Sequence, residues 1–191
     1  MRLSSHFRRA AVLGLSLLLA AQLGVGACAA SAFDAAYYAE TNPDVAAACG
    51  TDEASLLRHY LSSGQAEGRK PSARGKAGDS LKLTNEQIAL VWSPVPLKDL
   101  ANYKSLKKKM TDEQYQAAYQ EAVNLVLPVA LSSREEQLTY IAAALRERFD
   151  SGMSYSMDAD HYNDPYGYFV LGSASCAGCT RATGLCLNVL G

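Results

Sequence analysis

The chain has 191 residues, of which 49% are hydrophobic and 19% are charged, a length that fits one domain of ordinary size with small additions. Its 18 basic and 19 acidic side chains give a formal net charge of -1. This balance argues against a nucleic-acid-binding protein, because such proteins carry a basic face. The five cysteines are too few for a disulfide-dense mini-protein, and their odd number leaves at least one thiol unpaired in a monomer unless one lies in a removed segment.

Residues 1–32 have the layout of a secretory signal peptide. Three arginines precede an apolar stretch, and Ala30, Ser31 and Ala32 form a small-residue cleavage site. Two alternatives stay open: a retained membrane anchor, although the apolar run is short for crossing a bilayer, and a lipoprotein, because Cys28 follows a sequence that resembles a bacterial lipobox. We therefore expect a secreted, extracytoplasmic protein that meets a membrane only through Cys28 or a retained signal segment.

Residues 33–72 predict two or three short helices that share an aromatic seam. Apolar residues recur at helical spacing, Asn42-Pro43 separates the first two helices, and Thr51 is placed to cap the third. The segment resembles a short module of secreted bacterial proteins through Phe33-Asp34, Tyr37-Tyr38, Asn42-Pro43-Asp44-Val45, His59-Tyr60, Gly64 and Glu67-Gly68-Arg69. The resemblance implies an extracellular accessory module without identifying a ligand. Residues 73–83, which are poor in apolar side chains, predict a linker.

Residues 84–150 predict three helices. Capping-box patterns begin at Thr84, Thr111 and Ser133, prolines follow the first two helices, and Gly152 follows the third. The expected buried stripe of the third helix consists of Leu138, Ile141, Ala142, Leu145 and Phe149.

Residues 153–175 change to a tyrosine-rich, turn-rich composition. Asp158, Asp160 and Asp164 lie in an acidic loop that fails the EF-hand pattern, so we expect a solvated loop rather than a calcium site. The apolar run from Tyr168 to Leu171 predicts a strand or the approach to a buried turn.

Cys176 is predicted at or just before the first turn of a mostly buried last helix. The unpaired backbone N–H groups and the positive dipole end there stabilise a thiolate, and the same N–H groups can polarise a substrate carbonyl. The residues alone leave three hypotheses: a nucleophilic thiol with a His partner elsewhere, a redox pair with Cys179 in a CxxC motif, and structural cysteines. We expect no metal or cofactor, because Cys186 supplies only a third zinc ligand and Thr180 stands where haem attachment needs His.

The last stretch resembles the nucleophile segment of the transglutaminase-like superfamily of papain-like cysteine acyltransferases and proteases. The matching residues are Cys176, Gly178, Ala182 and Leu187 or Leu190, followed by Gly191. Cys179 departs from the pattern, which usually has an aromatic residue there. The resemblance covers about residues 84–191 and implies an α+β papain-like core, in which Cys176 attacks an amide or ester carbonyl. It also implies a protein or peptide substrate, cell-wall-associated protein included, and no nucleic acid.

Only Cys176 is carried over as a site residue. In the superfamily the His and Asp partners follow on strands after the cysteine helix, and His161 precedes Cys176, contrary to that order. We therefore expect residues 84–191 to be the N-terminal part of such a domain, truncated after the nucleophile helix. We also expect the chain to be mostly α-helical, because the sheet-forming part is absent, and inactive by itself. The alternative functions are a CxxC thiol–disulfide oxidoreductase and a non-catalytic cell-surface binding protein.

Overall fold

The computed structural model of the protein describes residues 31–191. The predicted signal peptide up to residue 30, including the lipidation candidate Cys28, lies outside the described residues. The described part is mostly helical, as expected, with eight α-helices and one two-stranded parallel sheet. None of the helices in residues 31–191 is both long enough and apolar enough to cross a bilayer.

Three short helices and a π-helical turn form the first part of the described chain. Their bounds are α1 (Ala35–Thr41), α2 (Pro43–Cys49), α3 (Glu53–His59) and the π-helical turn Tyr60–Gly64. Pro43 is the first residue of α2, as predicted. The prediction of Thr51 as the cap of α3 is wrong, because the helix begins one residue later and the Asp52 carboxylate accepts the N–H of Ser55 at 2.9 Å.

The residues that carry the module resemblance hold this part together. Phe33, Tyr38 and Tyr60 are buried, and their rings contact one another at centroid distances of 5.4 to 5.9 Å. The guanidinium of Arg69 donates to Asn42 Oδ1 at 2.8 Å and to the carboxylate of Asp44 at 2.7 Å. The matched residues therefore form an aromatic cluster and a hydrogen-bonded ion pair at the start of α2.

Five further α-helices follow: α4 (Asn85–Val91), α5 (Tyr103–Lys107), α6 (Asp112–Val126), α7 (Arg134–Asp150) and α8 (Cys176–Leu190). Two 3₁₀ turns, Leu97–Asp99 and Leu127–Val129, lie between them. The predicted capping boxes at Thr84, Thr111 and Ser133 are all formed with reciprocal side-chain and backbone hydrogen bonds.

The segment between α7 and α8 combines a short parallel ladder with a second π-helical turn. Strands β1 (Ser154–Tyr155) and β2 (Ser173–Ala174) pair in parallel, with Ser154 opposite Ser173. Between them, Gly167–Leu171 forms the π-helical turn, which buries Tyr168 and Phe169. The apolar run is therefore a buried turn rather than a strand.

The larger hydrophobic cluster lies around α6 and α8. Its fully buried side chains include Tyr115, Ala122, Val126, Leu185 and Val189. The buried stripe predicted for α7 is only partly right. Ile141 and Leu145 are buried, whereas Leu138 is 47% exposed. Gln137 takes the inward position beside Ile141, because its amide donates to the carbonyls of Val129 and Ala130.

Candidate active site at the start of the last helix

Cys176 is the first residue of α8, which confirms its predicted position at the start of the helix. Its side chain is exposed and its thiol is free. The preceding residue, Ser175, is the N-cap: it is 1% exposed, and its hydroxyl accepts the N–H of Gly178 at 3.4 Å. The buried cap fixes the helix start while it leaves the cysteine next to it in solvent.

Two backbone donors lie beside the thiol. Among the described residues, the N–H groups of Cys176 and Ala177 have no hydrogen-bond acceptor, whereas Gly178 and Cys179 donate to Ser175. Free N–H groups at the first turn are the expected consequence of helix geometry. The exposed thiol can attack a substrate carbonyl, and the two N–H groups can then donate to the carbonyl oxygen and stabilise the negative charge that develops on it.

The loop at residues 161–167 is fastened to the first two turns of α8. The carbonyl of Tyr162 accepts the N–H of Ser175 at 2.7 Å, and the guanidinium of Arg181 donates to the carbonyl of Asn163. A Cβ at Gly178 would lie 2.5 Å from the carbonyl oxygen of Tyr162. Only glycine lets the loop approach α8 this closely, which gives a structural reason for the glycine two residues after the cysteine.

His161 belongs to a cluster of its own within this loop. Its Nδ1 lies 2.8 Å from Asp164 Oδ2, and its Nε2 lies 3.1 Å from Gln114 Nε2. Because a carboxylate only accepts and an amide nitrogen only donates, Nδ1 carries the proton and Nε2 accepts. Both ring nitrogens are therefore engaged, and no hydrogen bond joins His161 to Cys176 within the described residues.

The expectation of a solvated acidic loop is right for Asp158 and Asp160, which are exposed, and wrong for Asp164. Its side chain is 1% exposed, and its Oδ1 accepts the N–H groups of Tyr166 and Gly167 at 3.1 and 3.2 Å. Buried carboxylates need such partners. The sequence analysis missed the cluster of Gln114, His161 and Asp164. The His-x-x-Asp spacing before a proline was the only local signal, since Gln114 lies 47 residues away.

The other described cysteines differ in their environments. Cys179, half-buried, lines a cleft of about 270 Å³ between α7 and α8 together with Leu145, Phe149 and Tyr168. Burial and, to a smaller extent, the neighbouring Cys176 raise the pKa of the Cys179 thiol. Cys186 is fully buried, and burial raises its pKa to about 12. Cys49 is exposed at the last position of α2.

Residues 31–191 contain no group of three or more His, Cys, Asp or Glu side chains arranged to hold a metal ion. Comparison of the chain with protein-family models, with curated proteins and with solved structures gave no match.

Proposed function

We propose that the chain is a secreted, transglutaminase-like protein in which Cys176 is the nucleophile toward an amide or ester carbonyl of a protein or peptide. The observation that carries this proposal is the free, exposed thiol of Cys176 at the first position of α8, beside the unpaired N–H groups of Cys176 and Ala177. In this proposal, α8 is the nucleophile helix of an α+β papain-like core.

The reaction follows from the atoms at the start of α8. The Cys176 thiolate attacks the carbonyl carbon, and the two free N–H groups donate to the oxygen that becomes negative. The intermediate collapses to a thioester at Cys176, and the departing amine or alcohol takes up a proton. Water then releases an acid, or an amine forms a new amide bond. The described residues are assigned the nucleophile and the oxyanion donors in this scheme, and not the general base.

Acylation of the purified full chain by a p-nitrophenyl ester tests the assignment. We expect a single, hydroxylamine-sensitive thioester at Cys176 without catalytic turnover, mapped by peptide mass spectrometry, and its loss in Cys176→Ala. Cys49 is an internal control, because it is also exposed but is the last residue of a helix, away from any first-turn N–H groups. The two free N–H donors beside Cys176 predict that it is acylated at least roughly tenfold faster than Cys49. Equal rates at the two cysteines, or acylation elsewhere, would contradict the proposal.

A thiol–disulfide oxidoreductase is the second candidate function. It is favoured by Cys176 and Cys179, which are both reduced and lie in the same turn at the start of α8. Substitution separates the two chemistries. Cys179→Ser abolishes catalysed reduction of a model disulfide but spares acylation, whereas Cys176→Ser abolishes both. If Cys179→Ser removes a robust reductase activity from a chain that does not accept acyl groups, the second function replaces the first.

A further inference from the structure

Two thiols of unequal accessibility share the first turn of α8. Cys176 is exposed, and Cys179, three residues later, is half-buried at the wall of the cleft between α7 and α8. Burial and, to a smaller extent, the neighbouring Cys176 raise the pKa of the Cys179 thiol. An exposed thiol thus has a shielded thiol as its neighbour on the same helix face.

The helix geometry allows the two sulfur atoms to be joined. Residues three apart on a helix have Cβ atoms about 5 to 6 Å apart, and a disulfide needs about 3.5 to 4.5 Å. A small rotation of the Cys176 backbone can close this gap. Cys176 is the first residue of α8, and among the described residues its N–H has no hydrogen-bond acceptor, so the rotation breaks no hydrogen bond of that N–H. The buried cap Ser175 holds the rest of the turn in place.

We propose that Cys176 and Cys179 form an oxidative modification site, at which a small disulfide such as oxidised glutathione converts the two thiols into an intramolecular disulfide. The Cys176 thiolate attacks one sulfur of oxidised glutathione and releases one glutathione thiolate. The Cys179 thiolate then attacks Cys176 Sγ and releases the second. The two cysteines are oxidised by two electrons, the small disulfide is reduced to two thiols, and excess dithiothreitol reverses the change.

The order of the two steps follows from exposure and charge. Cys176 reacts first because it is accessible to the disulfide in solution. The thiol of Cys179 is shielded, and its raised pKa keeps it protonated at neutral pH. Because the attacking species is the Cys179 thiolate, the second step accelerates as the pH rises.

The remaining described cysteines do not compete for this bond. Cys186 is fully buried and lies seven residues beyond Cys179, about 10 Å along the helix axis. Cys49 is in the first part of the chain, at the end of α2. Because the disulfide would consume the proposed nucleophile, it would also close the acylation site; that consequence rests on the proposed function, whereas formation of the bond does not.

The experiment uses the full chain with Cys49→Ser, which removes the other thiol that is exposed within residues 31–191. Trypsin leaves Cys176 and Cys179 on one peptide, because no Lys or Arg lies between Arg148 and Arg181. After treatment with oxidised glutathione, we expect this peptide to lose the mass of two hydrogen atoms, with recovery after dithiothreitol. In Cys49→Ser with Cys179→Ser, the reaction stops at a glutathione adduct on Cys176.

A stable glutathione adduct at Cys176 while Cys179 is present would overturn the proposal, as would an unmodified peptide. Acylation by the p-nitrophenyl ester is measured in parallel on reduced and oxidised protein. We expect at least a tenfold loss after oxidation and full recovery on reduction. If the disulfide forms but reduced protein is not acylated at Cys176, the modification site stands and the acyl-transfer function fails. If reduced protein is acylated at Cys176 and no disulfide forms, the acyl-transfer function stands and the modification site fails.

Discussion

At the scale of single residues, α8 contains one glycine that the packing requires and one that alanine could replace without a clash. Gly178 is buried under the loop at residues 161–167, so an added Cβ would lie 2.5 Å from the Tyr162 carbonyl oxygen and 3.0 Å from Ala174 Cβ. Gly184 lies two turns further along the same helix, and its added Cβ would meet only Leu106 Cδ2 at an ordinary 3.5 Å. The two positions form a matched pair.

We expect Gly178→Ala and Gly184→Ala to change stability in opposite directions. Gly178→Ala forces the loop away from α8 and destabilises the protein by about 1 to 3 kcal/mol. Gly184→Ala improves the helix propensity of an unstrained position and stabilises it by about 0.5 to 1 kcal/mol. Urea unfolding followed by circular dichroism measures both changes. Equal effects of the two substitutions would show that the loop does not pack on Gly178 as described.

Cys186 is expected to make the protein less stable at alkaline pH. Its pKa is raised from 9.0 to about 12 by burial, so between these values the unfolded chain loses a proton that the folded chain keeps. The folded state then binds more protons, and the free energy of unfolding falls as the pH rises. Cys186→Ala removes this contribution. Between about pH 8 and about pH 11, the free energy of unfolding of this variant therefore falls by about 2 kcal/mol less than that of the wild type.

Cys49→Ala is the control for this pH dependence, because Cys49 is exposed. Its free energy of unfolding is expected to follow the wild-type curve. Tyr38 and Tyr168, whose pKa values are both raised to about 12 by burial, add an alkaline loss that all the variants share. A Cys186→Ala curve parallel to wild type would mean that this thiol ionises in the folded protein as easily as in the unfolded chain.

At the scale of elements, the loop at residues 161–167 joins α6 to the start of α8. The buried Asp164 carboxylate accepts two backbone N–H groups of the loop and the imidazole of His161. His161 in turn accepts from Gln114 in the first turn of α6. The loop that contacts the first turn of α8 is thus held by one buried carboxylate. His161 adopts a left-handed backbone with φ of 58°, a conformation that this network of contacts must stabilise.

Asp164→Ala is expected to destabilise the protein by about 2 to 4 kcal/mol, because it leaves two backbone donors and an imidazole without their buried acceptor. Asp160→Ala is the matched control, since Asp160 directly precedes this loop and is exposed, and we expect a change within about 0.5 kcal/mol. Thermal unfolding of the three proteins measures the difference. Equal melting temperatures would mean that the carboxylate is hydrated rather than buried.

The elements that sequence reasoning predicted well are those that local contacts determine. The capping boxes at Thr84, Thr111 and Ser133 each involve residues three apart, and the start of α8 is specified by Ser175 and the residues after it. The π-helical turn at Gly167–Leu171 depends instead on distant partners, because Tyr168 donates to the carbonyl of Leu145, 23 residues before it. Gln114 and His161 meet across 47 residues, so no local pattern could have predicted their contact. Within the described part, no side chain that could act as a base forms a hydrogen bond with the proposed nucleophile Cys176.

At the scale of the whole described chain, most of the buried apolar residues belong to one of two clusters that share no member. The first consists of Phe33, Tyr38, Val45, Leu56, Leu57 and Tyr60, and the second surrounds α6 and α8. Helix α4 and the residue after it link them, because Val91 packs on the first cluster and Trp92 on the second. Polar contacts, such as Arg58 to the carbonyl of Leu90 at 2.9 Å, tie α3 to α4. Because one short helix forms most of this link, we expect each cluster to unfold locally without the other.

Labelling of Cys186 by a thiol reagent tests this independence, because Cys186 is fully buried within the second cluster. Leu57 and Ile141 are 0% and 1% exposed and belong to different clusters, and replacing either by Ala costs about 2 to 5 kcal/mol. We expect Ile141→Ala to accelerate the labelling of Cys186 about 100-fold, while Leu57→Ala changes it less than about twofold. Leu138→Ala, at a side chain 47% exposed on the same helix as Ile141, is expected to leave the rate unchanged. A comparable acceleration by Leu57→Ala would show that the two clusters unfold as one cooperative unit. The first cluster would then contribute directly to holding the start of α8 in place.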